Sequence, residues 1–81
     1  MIEERVFVAE LIRRVLISQM CVREAISQFP RDTEDKSIHA AFHALIHYEA
    51  DEDIRYKDYE YREEQNDYLE FIAQTLVEGK E

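Results

Sequence analysis

The stretch IEERVFVAELIRRVLISQMCVREAISQF, residues 2–29, decides the fold. It contains neither glycine nor proline, and Pro30 follows it directly. A proline biases the residue before it toward extended geometry and cannot donate its own amide to a helical ladder. The pattern therefore predicts one helix from Ile2 to about Phe29. That helix carries apolar residues on two sides. Val6, Ala9, Leu16, Ile17 and Met20 share one stripe, and Val8, Leu11, Ile12, Val15, Val22 and Ile26 share another. An ordinary surface helix has one apolar stripe, and a helix that is apolar most of the way round is buried. Two neighbouring helices cover one stripe, so the second calls for a partner chain, which a symmetric dimer supplies. The expected dimer interface is thus Val8, Leu11, Ile12, Val15, Val22 and Ile26.

Outward from this segment, composition supports the same class. The 81 residues hold one glycine, Gly79, and one proline, Pro30, and 36% are charged. Sheets joined by tight turns draw more heavily on both residues. The expected fold is all-α: a helical hairpin or three-helix bundle, one small domain over 1–81, dimerised into a larger bundle. A second helix should begin after Thr33, its expected N-cap, and run to about Arg55, with Ile38, Ala41, Phe42, Leu45 and Tyr48 facing inward. A third should cover about Asp58 to Glu78, with Tyr61, Tyr68, Leu69, Ile72, Thr75 and Leu76 on its inner face. Gly79 suits its C-terminal cap. The break between these two helices falls near Tyr56–Asp58, although neither glycine nor proline marks it, and one continuous helix is the alternative.

Cysteine and charge bound the setting. Cys21 is the only cysteine, which excludes an internal disulfide and fits a reducing compartment such as the cytosol. Flanked by Met20 and Val22, it reads as a half-buried apolar thiol. The start, MIEER, is acidic and makes a poor signal-peptide opening. The apolar runs fall short of the ~20 residues that cross a bilayer, so a cytoplasmic protein with no membrane partner is expected. The net charge is −9, and residues 1–30 contribute nothing to it, with four acids against four bases. All of it lies in residues 31–81.

The stretch HAAFHALIH, residues 39–47, holds all three histidines, His39, His43 and His47, each four residues after the last. Four residues turn a helix by about 400° and raise it ~6 Å, so the three form a slowly winding row. Adjacent members could share a divalent transition metal, with Asp51 as the next step of the row. The outer pair lie ~12 Å apart along the axis, too far to bind one ion easily. The row also suits a second helix contact beside Ala40, Ala44, Ala50 and Ile54, or a pH-sensitive contact, since imidazoles titrate near pH ~6.5.

The segment YEADEDIRYKDYEYREEQNDYLE, residues 48–70, carries ten acids, three bases and all five tyrosines: Tyr48, Tyr56, Tyr59, Tyr61 and Tyr68. Tyrosine with a charged rim is typical of docking surfaces, and an acidic face steers a basic partner toward it. Glu49, Asp51, Asp53, Tyr56, Tyr59, Glu60 and Glu63 are the expected partner-binding set, and a basic protein is the expected partner. Direct nucleic-acid binding is not expected, because phosphate contacts need clustered Lys and Arg. No catalytic constellation can be built from the residue pattern. An enzyme would need a cleft at the dimer interface with Arg13, Arg14, Arg23 or Arg55 holding an anionic substrate.

Overall fold

The structure, a computed structural model, describes residues 2–79, and it is all-α. The described residues form five helices in order: α1 (Ile2–Leu16), α2 (Val22–Ser27), α3 (Lys36–Ala50), α4 (Glu52–Lys57) and α5 (Tyr59–Glu78). They form a body of 38 × 22 × 20 Å. Among the described residues no helix is long and apolar enough to cross a membrane.

The single helix expected over 2–29 is two helices. The reason lies at Ser18, whose φ is 62°. The Gln19 amide donates to the Arg14 carbonyl at 2.9 Å, and the Ser18 amide donates to the Val15 carbonyl at 3.1 Å. This pair of bonds is a Schellman stop, in which a left-handed residue satisfies the last carbonyls of a helix. Glycine usually occupies that position; a serine there carries no obvious signal. The turn lets α2 fold back toward α3 and makes Cys21 the residue before α2. Its thiol is exposed, not half-buried as expected.

The stop also redistributes the stripes of the first segment. Val8, Leu11, Ile12 and Val15 lie in the chain's own core, each between 0% and 7% exposed. Val22 and Ile26 are partly buried against that core. The stripe assigned to a dimer contact is therefore covered by α5, α2 and α3, and it requires no second chain. The other stripe faces out in part, with Val6 38% and Ile17 62% exposed. Most of the cover on α1 comes from α5, with α2 and α3 adding smaller contacts.

The core is completed by Ala25 and Phe29, by Ile38, Ala41 and Leu45 of α3, and by Leu69, Ile72, Ala73 and Leu76 of α5. Phe42 and Tyr48 lie half-buried beside it, as the inward stripe of the second helix predicted. Tyr68 departs from the expected inner face of α5 and is 57% exposed. Helix α3 is capped by Asp35, whose side chain accepts the Ser37 amide at 2.9 Å. Thr33, the expected cap, instead accepts the Asp35 amide at 3.1 Å and holds the loop. Arg5 of α1 grips the same carboxylate with two bonds, Nε to Oδ2 at 2.6 Å and Nη2 to Oδ1 at 3.1 Å. That fork pins the start of α3 to the start of α1 and holds the Asp35 carboxyl below the usual carboxylate range.

The helix expected to run to Arg55 breaks at Asp51 (φ −95°, ψ 15°), and the chain breaks again at Asp58 (φ −124°, ψ 102°). Asp58 lies within the expected break and caps α5 by accepting the Tyr61 amide at 3.2 Å. Gly79 ends α5 in the left-handed region, with φ 75°, where glycine has no Cβ to clash.

Candidate functional site

The acidic segment resolves into an inner network and an outer surface. Asp51, half-buried at the joint between α3 and α4, accepts the Tyr61 hydroxyl at 2.6 Å and the Gln65 side-chain amide at 3.2 Å. Gln65 in turn accepts from Arg55 at 3.1 Å. The Arg55 guanidinium also donates to the Tyr48 carbonyl and lies 3.5 Å from the centroid of the Tyr48 ring. The Tyr48 hydroxyl donates to Asn66 at 2.9 Å. These contacts join α3, α4 and α5 without a buried apolar residue from α4. The hydrogen bond to Asp51, followed by desolvation and the Asp51 charge, pushes the Tyr61 hydroxyl above its ordinary pKa.

The partner-binding set divides along this line. Asp53, Tyr56, Tyr59, Glu60 and Glu63 are exposed. Tyr56 is 92% exposed and Tyr59 70%. The Glu63 carboxylate, one turn along from Tyr59, pushes that tyrosine's pKa up. Glu49 and Asp51 are turned to the fold instead. Asp51 holds the network, and Glu49 is half-buried with its carboxylate 3.4 Å from Arg23 Nε of α2. Ile54, half exposed on α4, joins the outer surface and was absent from the expected set. Its signal was an isoleucine within a run of charges, which the sequence pattern instead assigned to the histidine face.

All three histidines are exposed along α3. His39 Nε2 lies 2.9 Å from the Thr33 carbonyl. A carbonyl only accepts, so Nε2 carries the proton. His43 packs edge-on to Phe42, with ring centroids 5.9 Å apart. Among the described residues no group of three or more His, Cys, Asp or Glu side chains comes together where an ion could be held. The expected row does not gather Asp51, which is committed to Tyr61 and Gln65.

The row does separate two concavities. On one side, α2 and α3 enclose 490 Å³ floored by Ile26, Phe29, Ile38 and Phe42 and edged by Arg31, His39 and His43. On the other, α3 and α5 enclose 310 Å³ between Ala40, His43, Ala44 and His47 on one wall and Tyr68 and Leu69 on the other. A third cleft of 510 Å³ lies among Cys21, Glu24, Glu49, Glu52 and Arg55. Of the arginines weighed for an anionic substrate, Arg13 is held by Glu70 and Gln74 on α5, Arg23 by Glu49, and Arg55 by the network. No family model, curated protein or solved structure matches this chain.

Proposed function

We propose that this chain is a small interaction or regulatory protein that docks a basic protein partner through the outer side chains of α4 and the first half of α5. One observation carries the reading. Helix α4 buries none of its residues, yet Arg55, Asp51 and Tyr61 hold it in place, and it presents Ile54 and Tyr56 to solvent. A helix that adds nothing to the core is poorly explained by stability. Exposed apolar and aromatic side chains ringed by charge are what a docking surface offers. Residues 48–70 carry ten acids against three bases, and with Glu49, Asp51 and Arg55 turned to the fold, eight acids face two bases on the outer surface. The surface potential there is strongly negative and steers a cationic partner. The exposed thiol of Cys21 favours a reducing, cytosolic setting for this role. Self-association is not part of the proposal, because the α1 stripe that called for it is covered within the chain.

The test uses a Lys- and Arg-rich amphipathic helical peptide as probe, with fluorescence anisotropy as the readout. The triple change D53N/E60Q/E63Q should weaken binding strongly. A control that removes the same charge elsewhere, E3Q/E10Q/E34Q, should weaken it little at physiological salt, where exposed charges more than ~8 Å apart are screened. Tyr56→Ala should add to the loss. Equal losses for the two triple variants would reduce the effect to overall charge and defeat the docking reading.

A further inference from the structure

The concavity between α2 and α3 carries a cation and no carboxylate in a chain whose net charge is −9. Nineteen of the 81 residues are Asp or Glu, yet the nine residues lining this cavity include neither. The lining supplies a cation, Arg31, and two imidazoles, His39 and His43, over an apolar floor. Arg31 makes no ion pair among the described residues, unlike Arg5, Arg13 and Arg23, which each hold a carboxylate. Pro30 fixes the backbone beside it, between the buried Phe29 and the exposed guanidinium. Phe29 and Phe42 meet edge to face, with centroids 5.7 Å apart at 63°, and His43 continues the row. The volume, 490 Å³, is that of a small-molecule site.

We infer that the α2–α3 cavity binds a small aromatic monocarboxylate, its ring against Phe29 and Phe42 and its carboxylate on Arg31. A planar carboxylate matches the guanidinium fork with two parallel bonds. An aromatic ring fits the herringbone already present, because edge-to-face contacts extend without burying a polar group. The His39 ring is pinned by its bond to Thr33, and its Nδ1 has no partner among the described residues. That nitrogen leaves a second polar position at the edge of the site. The cavity is independent of the α4 surface. Phe42 lies eight residues before the end of α3 at Ala50, ~12 Å along the helix axis.

Naphthoate and its neutral analogue naphthamide are suitable probes, with binding followed by amide chemical-shift changes in the intact chain. Naphthoate should bind saturably and shift the amides of residues 26–29, 31 and 38–43. Naphthamide should bind about tenfold more weakly or worse, since the loss is that of a charge-assisted pair. Arg31→Gln, at an exposed position, should weaken naphthoate by a similar factor and leave naphthamide unchanged. Ile26→Asp, which charges the floor, should weaken both probes. The inference is overturned if naphthoate does not saturate, if shifts fall on α4 and α5 instead, if the two probes bind equally, or if Arg31→Gln leaves naphthoate binding intact. None of these outcomes bears on the docking of a basic peptide.

Discussion

The two ends of α3 are held by different forces. Toward its start, α3 packs Ile38, Ala41 and Leu45 against α1 and α5, with these side chains at most 1% exposed. Past its end, α4 contributes nothing to that core and is held by Arg55, Asp51, Tyr61 and Gln65. Apolar burial is tolerant of geometry and insensitive to pH, and it supplies most of the stability. A hydrogen-bonded joint contributes about 1 kcal/mol per bond, depends on direction, and opens locally. The contrast separates a part of the chain that sustains the core from a part that a polar network holds against it.

The largest effect should come from the core. Leu69→Ala removes a side chain that is 1% exposed and should cost about 2–5 kcal/mol, read as a lower urea midpoint for the whole chain. Leu45→Ala should cost a similar amount. If either lost much less, the packing of α5 on α3 would have to be looser than described. Next comes the bracket between α1 and α3. Asp35→Ala removes the α3 cap and the carboxylate that Arg5 grips, and it should cost about 1–2 kcal/mol. Asp35 also sets a pH dependence. Its folded pKa lies below the unfolded value because Arg5 donates to it. Its stabilisation is therefore present above about pH 4 and is lost as pH falls through the lowered folded value. Asp35→Asn should flatten the acid limb of the stability curve, and an unchanged limb would remove Arg5–Asp35 as its cause.

The joint should respond differently. Tyr61→Phe deletes the donor to Asp51 and should speed amide exchange across residues 51–57, with little change in the global midpoint. The Tyr61 pKa is raised in the folded chain. Its contribution is present below the unfolded value near pH ~10 and lost as pH climbs through the folded one. Exchange in α4 should thus rise in alkali in the parent chain, while in Tyr61→Phe it should stay elevated at every pH, without the added step. A loss of global stability matching that of Leu69→Ala would place α4 in the core and undo the contrast.

Legibility from sequence followed the same division. The all-α class and the apolar faces of α3 and α5 could be read, because helical periodicity marks a face whichever neighbour covers it. Leu45, Leu69 and Leu76 lie where that periodicity put them. The role of the first segment could not be read. Two stripes state that a helix is covered on two sides, not whether the cover comes from the same chain, and that depended on a turn with no glycine. The split of the acidic segment was also hidden. Asp51 and Asp53 are alike in sequence, and only the approach of Tyr61 and Gln65 from α5 turns one inward. The cation and the imidazoles that line the α2–α3 cavity, Arg31, His39 and His43, come from two separate stretches, so no local window displays them together.

The smallest predicted effect concerns that turn, and it has an internal comparison. Among the described residues two adopt the left-handed conformation, Ser18 after α1 at φ 62° and Gly79 after α5 at φ 75°. Glycine reaches that region without penalty, whereas an L-residue with a Cβ is disfavoured by about 1–2 kcal/mol. Ser18→Gly relieves that penalty, but it also gives the unfolded chain more freedom, which offsets about 0.5–1 kcal/mol. The net expectation is a gain of about 0.5–1 kcal/mol in urea unfolding, with the helix content unchanged. Ser18→Ala keeps the Cβ and should give no such gain, while a β-branched Ser18→Val should cost stability. A gain for glycine alone would assign the α1–α2 reversal to backbone conformation at one residue. Equal behaviour of glycine and alanine would mean that packing on α3, through Ala25 of α2 and Phe29 of the loop after it, directs the reversal instead.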